Sequence, residues 1–202
     1  GLALARYLRK NGIPVAFLDT NDHLPYHHSR YCGSVYRAAT LEDDRLVSSL
    51  MDLGQQHVGR QLLFITMDRT VPVISRHRDD LSRYFDFNLV SQNVVSMLMN
   101  KTTLPLFLDK CGCLYPRTLR ISRPSELTQA PYITGFPCII KPSQRAYGFK
   151  AGIAHNVSEL EGIYSAASRH SAEFVIQQWI PGQDSDVYFC FTYLDKNHEP
   201  KA

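Results

Sequence analysis

Over the first hundred residues, apolar positions fall by turns at helical spacing and in short unbroken runs. Leu4, Tyr7 and Leu8 share one helical face ahead of Asn11-Gly12, a C-terminal stop, and Ile13-Pro14-Val15-Ala16-Phe17-Leu18-Asp19 then reads as a buried strand ending on an acid. A helix that opens at a glycine and runs into such a strand is the second half of a βαβ unit. Its first strand is expected ahead of Gly1, so the sequence reads as a fragment. Further along, 43–53 has helical spacing, 61–67 is a run suited to a buried strand, and 71–83 is largely helical. Helical patterns at 94–100 and 103–111 lead through Tyr115-Pro116-Arg117-Thr118 into an extended piece.

From about residue 112 the pattern becomes strands with one intervening helix, which places a domain boundary between 111 and 112. Strands are predicted at 138–141, at 174–178 and at 187–194, and 148–154 reads as a turn plus a strand; 187–194 is rich in β-branched and aromatic residues. Ser158-Glu159-Leu160-Glu161 opens a helix with capping-box chemistry, Ser158 accepting from the Glu161 backbone while Glu161 reaches back. The fold class is therefore α/β, a Rossmann-like parallel-sheet domain over 1–111 followed by part of an α+β domain over 112–202. There is no internal repeat.

Composition narrows the function classes. At 202 residues, with 44% hydrophobic and 20% charged content, the chain suits one large or two small globular domains. The 22 basic and 19 acidic residues are dispersed and leave a net charge of only +3, so the phosphate-neutralising stripe of a nucleic-acid binder is missing. No apolar run approaches the roughly 20 residues that span a bilayer, and no signal peptide opens the chain, which makes the cytoplasm the expected compartment. Five cysteines at unrelated spacings read as reduced thiols, and Cys111-Gly112-Cys113 lacks the second pair a structural zinc site needs. His23 and His27-His28 have no carboxylate framing them in sequence and read as a polar loop.

The chemistry concentrates in the last third. Phe136-Pro137-Cys138-Ile139-Ile140-Lys141-Pro142 delivers a lysine at the end of an apolar run; Phe174-Val175-Ile176-Gln177-Gln178-Trp179-Ile180-Pro181-Gly182-Gln183-Asp184 delivers two amides, an aromatic, a turn glycine and an acid. Lysine is a point-charge phosphate binder, and one charge-assisted hydrogen bond contributes roughly 1.5–3 kcal/mol. Lys101 and Lys141 could hold a phosphate chain, although spacing alone equally suits two surface lysines. Ser143, Gln144, Arg145 and Lys150 add donors in a loop that could fold over phosphates or form a plain turn. Gln177 and Gln178 could bond a purine edge, Trp179 and Ile180 could wall it or fill a core, and Asp184 could accept two ribose hydroxyls.

The succession Asn100-Lys101, Pro116-Arg117-Thr118, 136–142 and 177–184 resembles the ATP-grasp superfamily, within it the carboligases near D-aspartate ligase and, further off, the biotin carboxylase and carbamoyl-phosphate synthase group. The likeness covers nearly the whole chain, since Ser29-Arg30-Tyr31 and the run before Asp68 suit the N-terminal preATP-grasp domain. It implies ATP as cofactor, with Lys101 and Lys141 on the phosphates and 143–150 as the mobile loop that closes over them. Gln177 would take the adenine amine where many members carry Glu, Gln178 and Ile180 would offer backbone groups, and Asp184 would hold the ribose. The loop is poor in glycine for that family. Mg²⁺ would be held by an acid and a Glu-x-Asn pair downstream of Ala202, so it is expected only in the complete protein; Asp195 and Glu199 lack the spacing to replace them.

The leading expectation is an ATP-dependent ligase acting on small-molecule carboxylate and amine substrates through an acylphosphate, by positioning and charge neutralisation. The alternative is a non-catalytic nucleotide-binding regulatory or scaffolding module. A Rossmann-type dehydrogenase half, resting on residues 1–19, predicts NAD affinity and ranks last. Partners outside the substrates include neither nucleic acid nor membrane, while an unpaired edge at 187–194 would favour a homo-oligomer.

Overall fold

The first apolar stripe forms α1 (Leu2–Lys10), which begins at Gly1 and stops at Asn11, whose side-chain amide donates to the Tyr7 carbonyl at 2.9 Å; Gly12 then takes a left-handed φ of 76°. Arg9 and Lys10 occupy its last turn, where the helix dipole favours cations. The computed structural model describes every residue except Asp22, His23, Arg145, Lys196, His198 and Ala202, and describes Asp184 by its backbone alone. Two compact units emerge, Gly1–Met99 and Asn100–Ala202. Residues 100–111 thus belong with the second unit, ahead of the change of pattern at 112.

In the first unit the chain leaves α1 for β1 (Ala16–Asp19), which pairs in parallel with β2 (Ser34–Arg37). After α2 (Arg45–Gln55), a second parallel pair joins β3 (Gln61–Leu62) to β4 (Phe85–Asp86), with α3 (Val71–Arg76) and α4 (Arg78–Leu81) between them and α5 (Gln92–Met99) after them. Leu46, Val47 and Leu50 of α2 meet Val73, Ile74, Leu81 and Phe85 in one core. The 61–67 run pairs over only two residues because β4 is equally short; beyond it Leu63, Ile65 and Met67 pack on the core while Phe64 faces out. A cavity of about 760 Å³ is lined from both strand pairs and from α1, by Leu4, Leu8, Phe17, Leu62 and Ile65 among others.

The histidine loop departs from expectation. Pro25–His28 forms a 3-10 turn that brings Tyr26 and His27 against Phe17, and the His27 side chain is only 2% exposed. A carboxylate does frame it, since Asp19 at the end of β1 lies 3.7 Å from its ring and accepts the Tyr26 hydroxyl. Burial, and then that bond to Asp19, push the Tyr26 hydroxyl up to about 12. Sequence spacing hid this because Asp19 and His27 lie eight positions apart. His23 lies outside the described residues.

The second unit opens with α6 (Leu104–Lys110), followed by the exposed turn carrying Cys111 and Cys113. β5 (Thr118–Ile121), α7 (Ala130–Ile133), β6 (Cys138–Pro142), β7 (Gly152–Ala154), α8 (Val157–Ala167) and β8 (Phe174–Gln178) follow. The strands form an antiparallel sheet in the order β5-β8-β6-β7. Leu119, Ile121, Cys138, Ile140, Phe174 and Ile176 alternate onto one face and bury against Leu160, Tyr164 and Ala167 of α8.

Two local expectations need correction. The cap of α8 is Asn156, not Ser158: Asn156 is extended, its side chain accepts from the Glu159 N–H at 2.9 Å, and the Glu159 carboxylate accepts from the His155 N–H at 2.9 Å. The capping chemistry was right and its register two residues late, because both Asn156 and Ser158 are followed by a glutamate three positions on. Residues 187–194 do not form a strand either. Among the described residues they meet only one bridge, Leu194 to Pro200, and Tyr188, Phe189 and Phe191 are 91%, 78% and 87% exposed. High β propensity does not make a strand where, among the described residues, no partner strand lies alongside.

Candidate functional site

The face of the second sheet opposite its core carries the site. Antiparallel register sets Gln177 of β8 between Thr118 of β5 and Ile139 of β6, and one step along it sets Val175 between Arg120 and Lys141. Directly opposed residues point the same way, so Thr118, Arg120, Lys141 and Gln177 share this face. Gln178 falls on the other, beside Cys138. The two amides therefore cannot act together on one ligand edge from their side chains.

Lys141 is half-buried and its ammonium donates to Gln177 Oε1 at 3.3 Å; Gln177 Nε2 donates to Thr118 Oγ1 at 3.1 Å, and the Thr118 hydroxyl donates to the Pro116 carbonyl at 2.7 Å. Burial, and then the charge of Lys101, hold the Lys141 ammonium below the ordinary lysine range. Lys101 is brought close by backbone: its N–H donates to the Ser143 carbonyl at 3.1 Å, while the Ser143 N–H donates to the Glu173 carbonyl at 3.0 Å. Among the described residues no carboxylate bridges either lysine, whereas Arg120 and Glu173 pair with each other on the same side of the sheet. A cavity of about 500 Å³ opens against Thr118 and Arg120, bounded by Thr102, Pro105 and Leu106.

The remaining expected residues are more dispersed. Ser143 is buried and pinned at both backbone groups, so the base of the 143–150 loop is fixed. Lys150 is exposed, Arg145 lies outside the described residues, and Gly148 takes a φ of 87° against the His170 ring. Gln178 accepts from Arg117 Nε at 3.2 Å and gives its own N–H to the Arg117 carbonyl, while the Trp179 N–H goes to the Pro137 carbonyl. Trp179 is half-buried and Ile180 is 61% exposed, so Ile180 is not a core residue; the strand ends at Gln178 and Ile180 leaves the sheet. Asp184 begins a short 3-10 turn, and its side chain lies outside the described residues. Thr118 and Arg117 were named in the sequence without a role, because their contacts with Gln177 and Gln178 span about sixty residues.

No group of three or more His, Cys, Asp or Glu among the described residues is placed to hold a metal ion. Asp195 and Glu199 both meet Lys201, at 3.3 and 2.8 Å. Among the described residues the acids do not assemble into a set suited to magnesium. No helix among the described residues is long and apolar enough to cross a membrane.

No family model matches the chain. It is 25% identical over 179 residues to the D-aspartate ligase of Enterococcus faecium (strain Aus0004), covering 78% of this chain and 42% of that protein. It is 26% identical over 192 residues to the formate-dependent phosphoribosylglycinamide formyltransferase of Corynebacterium jeikeium (strain K411), covering 90% and 43%. In structure it resembles the N5-carboxyaminoimidazole synthetase of Staphylococcus aureus complexed with ADP, with a TM-score of 0.69 at 16% identity over 88% of this chain and 44% of that one. The chain spans less than half the length of the proteins it matches.

Proposed function

Starting from a chain that resembles the ATP-grasp superfamily in sequence and fold, we propose that it forms the nucleotide-binding part of an ATP-dependent ligase. Residues 1–99 would be the preATP-grasp domain and the second unit the first part of the ATP-grasp domain. The observation that carries the reading is the pair Lys101 and Lys141: two cations, one of them desolvated, with an amide but no carboxylate as partner among the described residues. Such a pair calls for an anion, and a triphosphate supplies one. The adenine would lie toward the end of β8, where Trp179 and Ile180 offer apolar surface, and Asp184 would hold the ribose as the resemblance implies.

The chemistry suited to this pair is phosphoryl transfer to a carboxylate. A substrate carboxylate oxygen takes the γ-phosphoryl group, giving an acylphosphate and ADP; an amine then attacks the acyl carbon, phosphate leaves and the nitrogen loses a proton. Lys101 and Lys141 would orient the phosphate chain and offset the charge on it, and no side-chain nucleophile is required. The relative named D-aspartate ligase supports an amino acid as one of the substrates.

Lys141→Ala tests the reading. In the complete polypeptide, phosphate release that depends on ATP and on a carboxylate-amine pair is expected to fall by at least a hundredfold; release that survives the substitution would remove Lys141 from the site. Nucleotide binding with no substrate-dependent ADP release from the unaltered protein would instead favour the regulatory module.

A further inference from the structure

Independently of the nucleotide reading, we propose that the first unit carries an anion site of its own, built by Arg6, Lys10, Arg30 and Tyr31 for a free phosphate or pyrophosphate group. The function proposed above makes no use of the Ser29-Arg30-Tyr31 motif. Its backbone is held in a tight turn: the Cys32 N–H donates to the Ser29 carbonyl at 2.8 Å, and the Tyr31 N–H to the Ser29 hydroxyl at 3.3 Å. The Gly33 N–H, donating to the Val15 carbonyl at 3.0 Å, ties that turn to the chain entering β1. The cluster therefore gathers at the edge where the parallel strands β1 and β2 begin, while Asp19 closes β1 at its other end. From α1, Arg6 and Lys10 project from one helical side, being four positions apart. The Arg6 guanidinium lies 5.5 Å from the centre of the Tyr31 ring and the Arg30 guanidinium 4.9 Å from it.

The cluster is rich in donors and poor in acceptors. Arg30 Nη2 donates to the Tyr31 hydroxyl oxygen at 2.8 Å. That hydroxyl's own proton, the Arg6 guanidinium and the Lys10 ammonium meet no protein acceptor among the described residues, and none of Arg6, Arg9, Lys10 and Arg30 enters an ion pair there. Two guanidiniums beside one ring repel each other; the negative face of the ring offsets part of that repulsion, and an anion between them offsets more. Guanidinium forks match two oxygens of a phosphate at once, and the Tyr31 hydroxyl and the Lys10 ammonium add single donors beside them. The same cations act on the phenol. The hydrogen bond from Arg30, and then the charges of Arg30, Lys10 and Arg6, hold the Tyr31 hydroxyl below the ordinary tyrosine range, against the contrary effect of desolvation.

Tyr31 is therefore a reporter inside the site. The test titrates inorganic pyrophosphate into the 202-residue chain at about 0.15 M salt and follows the Tyr31 ring by NMR across pH. A bound anion offsets the cations that favour the phenolate, so the Tyr31 midpoint should move to higher pH, and by linkage affinity should fall as pH rises through that midpoint. Arg6→Gln combined with Arg30→Gln should weaken pyrophosphate about tenfold or more and remove the response; Lys10→Gln, a single exposed change, should weaken it less and serves if the double variant fails to fold. Lys141→Ala should keep the Tyr31 response, which separates this site from the lysine pair of the second unit. A Tyr31 midpoint unmoved by saturating pyrophosphate, a response seen only at low salt, or one that survives in the double variant or disappears in Lys141→Ala would overturn the proposal. Capture by phosphatidic acid vesicles without a response to pyrophosphate would overturn it as well, in favour of a lipid headgroup.

Discussion

At the scale of single residues, the sequence announced types and the fold decided what they do. Lys141 was legible as a cation at the end of an apolar run, but its desolvation and its bond to Gln177 depend on a partner 36 residues away. Gly54 shows the same limit with the opposite sign. It sits buried in α2, where helix propensity alone would favour alanine by about 0.8–1.0 kcal/mol. A methyl group there would lie 2.5 Å from Tyr84 Cβ and 2.7 Å from Cγ, and Cβ cannot move without the Tyr84 backbone. Overpacking of this kind costs about 1–3 kcal/mol, so Gly54→Ala is expected to lower the thermal unfolding midpoint by several degrees, checked by circular dichroism.

At the scale of elements, periodicity sufficed wherever burial reinforced it. β8 forms over Phe174–Gln178, the predicted span, where Phe174, Val175 and Ile176 make a short apolar run that is buried throughout. The α8 terminus was harder, since Asn156 and Ser158 offer the same capping chemistry two residues apart and only the extended backbone at Asn156 decides between them. Asn156→Ala is expected to destabilise the unit by about 1 kcal/mol, whereas Ser158→Ala should change it little, as denaturant titration of both variants would show. For 187–194, composition predicted a strand that no partner strand completes among the described residues. Strand formation is a property of pairs, and a single segment cannot report it.

At the scale of the molecule, the order of an α/β unit followed by an antiparallel unit was readable from the change of hydrophobic rhythm, and each unit has a core of its own. The division after Met99 was not readable, because the link that ties Lys101 to the second unit is a backbone bond to Ser143, indifferent to side chains. The exposed stretch from Val187 to Leu194 bears on handling at high concentration. Val-Tyr-Phe-Cys-Phe-Thr-Tyr-Leu has no charge, proline or glycine, the signature of a segment that stacks with its own copies into cross-β fibrils. Solutions should develop thioflavin-positive aggregates with a concentration-dependent lag, and Phe189→Lys with Phe191→Lys should lengthen that lag without shifting the unfolding midpoint. Charge at those two positions would then act as a gatekeeper that the natural segment does without.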